Sequence, residues 1–173
     1  MEDEETLIDI LIDVSKFLRS KGYKFSLIGG VAYSIVFEPR ATFDIDLIVD
    51  VLDIKNFIHD LKDYPDFILV HEKPMIFERA KIERVIHRKD IVIDFLIAED
   101  NYKRNAVKRS KKLYLKGEEI SIVSVEDLII LKLLSHREVD ILDVKNLLRL
   151  EDIDRDYINN WVEKLNLTLP IYP

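Results

Sequence analysis

The stretch LIGGVAYSIVFEPRATFDIDLIVD (27–50) decides how this chain is read. It runs from an apolar segment through Gly29-Gly30 to a second apolar segment carrying Asp44 and Asp46. KFSLI (24–28) reads as a buried strand, the glycine pair as a tight turn, and VAYSIVF as a short helix. Pro39 ends that helix, because proline pushes its predecessor out of the helical region. DIDLIVD reads as a second strand, with Ile45, Leu47 and Val49 inward and Asp44, Asp46, Ile48 and Asp50 on the other face. Residues two apart in a strand point the same way, so the Asp44 and Asp46 carboxylates lie close together. They repel unless a proton or a cation sits between them. A hard divalent ion, Mg²⁺ or Mn²⁺, suits such a pair and keeps waters to exchange for a substrate phosphate. The polar face of a half-exposed strand would look the same, so the neighbours must decide.

Two neighbours point to a ligand. Gly29-Gly30 lies where a strand passes into a helix, and there free N–H groups and the helix dipole attract anions. Glycine also lets a phosphate oxygen come close to the backbone. The second neighbour is Asp94, set in the otherwise apolar run IVIDFLI. A buried carboxylate is costly unless it is paired or bound to a cation. Asp94 therefore needs either a bound cation or an arginine, with Arg84 and Arg40 the available choices. Phosphate cradle, acid pair and third acid together fit two metal ions clamping a triphosphate for in-line displacement.

Outward from this centre the chain has no repeat and no low-complexity linker. EETLIDILIDVSKFLRSKG predicts an amphipathic helix closed at Gly22, with acids in its first turn. A helix is expected over 54–61 and a strand over FILVHE (67–72). ERVIHRKDIVIDFLIA (83–98) predicts a hairpin turning near Lys89-Asp90. NYKRNAVKRSKK (101–112) reads as a basic helix, and LYLKGEEISIV (113–123) as a hairpin around Gly117. Three helices follow, over 125–134, 139–150 and 155–165, the first opened by a Ser124-x-x-Asp127 capping box. The expected class is α/β (α+β): a mixed sheet flanked by helices, with a core over 1–123 and a helical C-terminal region over 124–173 packed on it.

Composition narrows the classes further. The 173 residues carry 26 basic and 33 acidic side chains, a net charge of −7. A surface basic all over is excluded, so nucleic acid contact would need a local patch. Six of the ten residues from Lys103 to Lys112 are basic. They form either a solvated helix face or a track for an RNA acceptor. No DNA-binding motif is present. There is no cysteine, hence no disulfide or thiolate zinc site. The four histidines lack metal-ligand spacing. The acidic opening MEDEETLIDI is unlike a secretory signal, and the apolar runs are too short for a membrane span, so a cytoplasmic protein is expected.

Taken together, Ile28-Gly29-Gly30, Asp44-Ile45-Asp46 and Ile93-Asp94-Phe95 resemble the nucleotidyltransferase superfamily with the DNA polymerase β-type fold. Its pattern is an apolar residue with Gly-Gly or Gly-Ser, then D-x-D, then a later aspartate between apolar residues. PRATFDIDLIV and VEDLIILKLL…VDILDVKNLL look closer to abortive-infection toxin-like and related prokaryotic nucleotidyltransferases. The resemblance spans most of residues 25–150. It implies transfer of a nucleoside monophosphate from an NTP to a hydroxyl on RNA, a protein or a small molecule, with Mg²⁺ or Mn²⁺ as cofactor. Asp44, Asp46 and Asp94 would hold metal, and Asp94 would help activate the acceptor. Gly29 and Gly30 would hold phosphates, although Gly30 lacks the hydroxyl many relatives carry there. Arg40 and Thr42 match an R-x-T-x-D-x-D phrase, with Thr42 placed either to hydrogen-bond Asp44 or simply to favour the strand.

Lys132 interrupts LIILKLL, a helix apolar nearly all round and therefore buried. Its ammonium needs an anion: Asp140 and Asp143 on the next helix, or a bound triphosphate. In the toxin-like relatives a K…D-x-x-D arrangement contributes to the active site, which implies such a part for Lys132, Asp140 and Asp143. A helix–helix salt bridge without catalytic part is the competing reading. A toxin role would add a cognate antitoxin as partner. The rival to an enzyme is a non-catalytic nucleotide-binding or antitoxin-like protein retaining the fold, and the intact Asp44, Asp46 and Asp94 speak against it.

Overall fold

The computed structural model describes residues 6–171. The first helix, α1 (Leu7–Ser20), starts where the Thr6 hydroxyl accepts from the Asp9 N–H and the Asp9 carboxylate accepts from the Thr6 N–H. This reciprocal cap satisfies two donors that the first turn would leave bare. Glu4 and Glu5, expected in that turn, lie outside the described residues. After β1 (Lys24–Ile28) the chain enters α2 (Gly29–Val36) and returns in β2 (Asp44–Asp50). The glycine pair is thus the start of the helix itself rather than a separate turn.

Then come α3 (Ile54–Asp63), β3 (Phe67–Leu69), β4 (Met75–Ile76), β5 (Lys81–His87) and β6 (Val92–Ile97). The rest is α4 (Asn101–Lys108), β7 (Lys111–Leu115), β8 (Glu118–Ile122), α5 (Val125–Ser135), α6 (Glu138–Leu147) and α7 (Arg155–Lys164). The strands form one mixed sheet in the order β3-β5-β6-β2-β1-β8-β7, with β4 also on β5. β2 lies near its centre, antiparallel to β1 and parallel to β6. The fold is the α/β arrangement with helical C-terminal portion that the sequence predicts.

Ile45, Leu47 and Val49 are fully buried on one face of β2. On the other face α4 packs against β1 and β2, burying Ile48, and Arg104 stands 3.6 Å from Asp50. The same face is left open at the start of β2, where Asp44 and Asp46 line a cleft. The cover stops where the acids begin.

Three expectations are corrected. The 67–72 strand ends at Leu69; Val70 still donates to the Arg84 carbonyl, and pairing resumes only in β4, beyond Pro74, which has no N–H to give. The basic segment is not one helix, because Lys111 and Lys112 pair with β8 as strand residues. The Ser110 hydroxyl donates back to the Val107 carbonyl at 2.6 Å where that helix stops. The helix expected over 139–150 runs over Glu138–Leu147. The hairpins turn where expected, with positive φ at Asp90 in one and at Lys116 and Gly117 in the other.

Asp127 joins the C-terminal helices to the core. It is fully buried and accepts from Ser124 Oγ at 2.9 Å, Tyr157 OH at 2.7 Å, Tyr102 OH at 3.3 Å and Arg109 Nε at 3.2 Å. These donors come from α4, α7, the residue following α4 and the cap of α5. Asp127→Ala leaves the Ser124 and Tyr157 hydroxyls without this acceptor and Arg109 with Glu126 alone, while the Tyr102 hydroxyl keeps the backbone carbonyl of residue 127. We expect a loss of roughly 1–3 kcal/mol, the cost of leaving a buried hydrogen-bonding group unsatisfied, measured by urea unfolding.

Candidate active site

Backbone pairing sets the acids. In the β2–β6 register Asp46 lies opposite Asp94, and on its other side Asp46 faces Ile28, the last residue of β1. Neighbouring strands are about 4.8 Å apart, so two carboxylates on one face are held within repulsive reach. Burial raises the Asp46 pKa to about 6, and the Asp44 and Asp94 charges push it the same way, against weaker help from Arg137 and Lys132. Asp44 accepts the Thr42 hydroxyl at 2.8 Å. Thr42 therefore orients that carboxylate.

Gly29 makes the close packing possible. A Cβ at this position would fall 1.9 Å from the Asp46 carboxylate oxygen, and its φ of +68° is one that L side chains rarely adopt. At Gly30 a Cβ would come within 2.8 Å of Thr42 Oγ1. No side chain caps the start of α2, so its first N–H groups face Asp46 and the cleft uncapped.

The cleft encloses about 440 Å³ and is lined by Gly30, Asp44 and Asp46 on one side, with Arg40, Arg84 and Arg137 contributing the positive charge. Ala41, Thr42, Phe43, Val92 and Val139 complete it. Asp94, expected to need either a cation or an arginine, has the arginine. Both of its oxygens accept from Arg84, Nε and Nη2 each at 2.7 Å. Among the described residues no group of three or more His, Cys, Asp or Glu is set to hold a metal ion.

Lys132, Asp140 and Asp143 come together but do not line the cleft. The Lys132 ammonium is 2.8 Å from Asp140 Oδ1 and 2.7 Å from Asp143 Oδ2, and all three side chains are almost fully buried. Asp143 also holds Arg40 at 3.0 Å, and Asp140 holds Arg137 at 2.6 Å. Burial opposes charge on Asp140, but bonds from Arg137, Lys132 and Ser135 outweigh it and keep its pKa below the usual carboxylate range. The Lys132 ammonium and the Arg40 guanidinium meet on the same Asp143 oxygen, and both lie near the Tyr33 ring, 5.7 Å and 5.1 Å from its centre. So the buried lysine reaches the cleft only through two aspartates, each of which presents an arginine to it.

Asp44 and Asp46 fit a divalent cation on their own chemistry: two hard oxygen ligands on one face, one of them hard to ionise without a counter-charge. Two carboxylates, an uncapped helix start and three arginines in one cleft suit a polyanion carried with a metal ion.

Residues 5–171 match the sequence model of a family described as nucleotidyltransferase of unknown function (DUF6036). The chain belongs to this family. It is thus a nucleotidyltransferase, and solved structures share its fold. ANT(2'')-Ia in complex with adenylyl-2''-tobramycin is 11% identical over 92% of this chain and 96% of its own, with a TM-score of 0.61. The lincosamide antibiotic adenylyltransferase LnuA, lincomycin-bound, is 16% identical over 84% of this chain and 99% of its own, at 0.57. An antigenic nucleotidyltransferase-like protein from Paracoccidioides brasiliensis is 18% identical over 90% and 86%, also at 0.57. At such identities the likeness is one of fold. No curated protein matches the chain.

In this nucleotidyltransferase the basic segment is largely neutralised from within. Lys103 pairs with Asp100, Arg104 with Asp50, Arg109 with Asp127 and Lys112 with Glu119, four of the six cations. Sequence reading missed Arg137 altogether, and it considered Arg84 only as a partner for Asp94. Among the described residues no helix is long and apolar enough to cross a membrane.

The Asp46 shift has a measurable consequence. Its folded pKa lies above the unfolded value of about 3.9, so its contribution to stability is fully present below that value. It is lost as pH rises through about 6. Asp46→Asn carries no such charge. In chelator the two proteins should match in stability below pH 4, and the variant should lead above pH 7, by up to roughly 3 kcal/mol for a carboxyl raised to about 6. Urea unfolding at both pH values measures the gap, and wild-type protein should recover it when Mn²⁺ is added.

Proposed function

We propose that this chain moves a nucleoside monophosphate from a nucleoside triphosphate to a hydroxyl acceptor and releases pyrophosphate. The observation that carries this reading is the meeting, in one cleft, of Asp44 and Asp46 with the uncapped start of α2 and the arginines held by Asp140 and Asp143. Asp44 and Asp46 would hold Mg²⁺ or Mn²⁺, which when bound supplies charge neutralisation at the reacting phosphate. Gly29 and Gly30 give the triphosphate room to approach the helix N–H groups. Arg40 and Arg137 donate to its oxygens and to the charge that grows on the leaving pyrophosphate. Asp94 faces this group from the next strand and takes up the proton of the acceptor hydroxyl. Lys132 is a positioning residue, which fixes both arginines through Asp143 and Asp140.

The acceptor we infer is a small molecule, because the segment that could have tracked RNA spends four of its six cations on internal ion pairs. The lincomycin and the adenylyl-2''-tobramycin named for LnuA and ANT(2'')-Ia are small molecules of this kind, bound by those proteins. Label appearing on RNA or on a protein hydroxyl would move the reading towards a toxin with its own antitoxin.

Asp44→Asn is expected to abolish nucleotidyl transfer while leaving the far-ultraviolet circular dichroism spectrum and cooperative unfolding intact, checked by pyrophosphate release with a panel of hydroxyl compounds. Transfer at the wild-type rate would remove the acid pair from the reaction. Arg40→Ala and Arg137→Ala should each lower kcat/KM for the triphosphate by roughly ten- to a hundredfold, the worth of one hydrogen bond to a charged group. Lys132→Met, which strips two buried aspartates of their shared cation, should lose roughly 3–5 kcal/mol of stability as well as rate.

A further inference from the structure

Arg84 forms a row with the acids across three strands. Asp46 lies opposite Asp94 in the β2–β6 pair, and Asp94 lies opposite Arg84 in the β5–β6 pair. All three side chains project from one face, because residues in register across a sheet point the same way. The Arg84 guanidinium meets Asp94 through Nε and Nη2, one donor on each oxygen, at 2.7 Å. That is the two-point match between a planar fork and a carboxylate that lysine cannot reproduce. Nη1 takes no part in this pair, and the side chain lines the cleft beside Asp44 and Asp46. The contact is well shielded at the acid, whose side chain is 13% exposed.

Asp44, Asp46 and Asp94 together carry three negative charges, and Arg84, always protonated, returns one. What remains matches a single divalent ion. A second such ion at Asp94 would share oxygens already weakened as ligands by the arginine hydrogen bonds and would sit against a fixed positive charge.

We propose that Arg84 is a built-in cation standing in for a second metal ion at Asp94, so that the site takes one divalent ion, on Asp44 and Asp46. This rests on the metal reading given under the proposed function. The arginine holds Asp94 in place with both oxygens engaged, each keeping a further lone pair for an acceptor hydroxyl. It also leaves one permanent positive charge at the cleft that cannot depart with the product.

The test is metal stoichiometry, independent of turnover. Mn²⁺ alone is titrated into the full chain and followed by the loss of free-ion electron paramagnetic resonance signal. Wild type is expected to take one ion. Arg84→Gln frees Asp94 and should take a second ion, or bind the first at least about tenfold more tightly because a like charge has gone. Arg84→Lys, which keeps the charge, should still take one. The double variant Arg84→Gln/Asp94→Asn removes both partners of the pair and should return to one ion at near wild-type affinity. It also covers the case in which Arg84→Gln alone fails to fold. Wild type that binds no Mn²⁺ contradicts the metal reading of Asp44 and Asp46 itself. Wild type that binds two, an Arg84→Gln protein with unchanged binding, or a double variant that binds none, overturns the role given to Arg84 alone.

Discussion

The register between β2 and β6 is the constraint on which the site depends. Backbone hydrogen bonds fix it over six residue pairs, and it leaves Asp46 beside Asp94 on the stretch of that face that α4 leaves open. A sheet would not choose like charges in that position for stability. They persist because the surrounding ladder, with Ile45, Leu47 and Ile93 fully buried next to them, is stronger than the repulsion. The result is a rigid scaffold that holds a carboxylate partly against its own ionisation. Gly29 completes it, since any side chain there would occupy the space of the Asp46 carboxylate.

A second constraint lies one layer deeper. Lys132, Asp140 and Asp143 form a buried charged cluster, costly to desolvate and held only because each charge is paired. The two aspartates each take one further cation, Arg40 and Arg137, and those are the residues that reach the cleft. Long, flexible side chains at a surface lose considerable rotamer freedom when they bind a ligand. Anchoring each arginine to a buried acid removes much of that loss in advance. Tyr33, whose hydroxyl accepts from Asn146 on α6, ties α2 to the same cluster. The glycine-led helix and the arginine anchors are thus positioned by one set of contacts.

How much of this was legible in the sequence follows the range of the interactions. The β1–α2–β2 unit was readable because its signals are local: alternation, a glycine pair and Pro39. The partner of Asp94 was left open between a cation, Arg84 and Arg40, because that choice is made across strands. A usable clue was present. A hairpin turning at Lys89-Asp90 brings Ile86 opposite Val92, Val85 opposite Ile93 and Arg84 opposite Asp94. Arg137 could have been found by its position three residues before Asp140, a spacing that lets ion pairs form on one helix face. The basic run misled because charge in sequence does not reveal ion pairing in space. Asp50 and Asp127 neutralise two of its arginines from distant parts of the chain.

The central claim is that this cleft cleaves between the α- and β-phosphates and keeps the nucleoside monophosphate for the acceptor. Parallel incubations with α-labelled and γ-labelled nucleoside triphosphate, Mn²⁺ and a panel of small hydroxyl compounds test it most directly. The account predicts label on the acceptor from the α-phosphate only, with the γ-label recovered as pyrophosphate. Transfer of the γ-label to the acceptor would make the protein a phosphoryl transferase and contradict it.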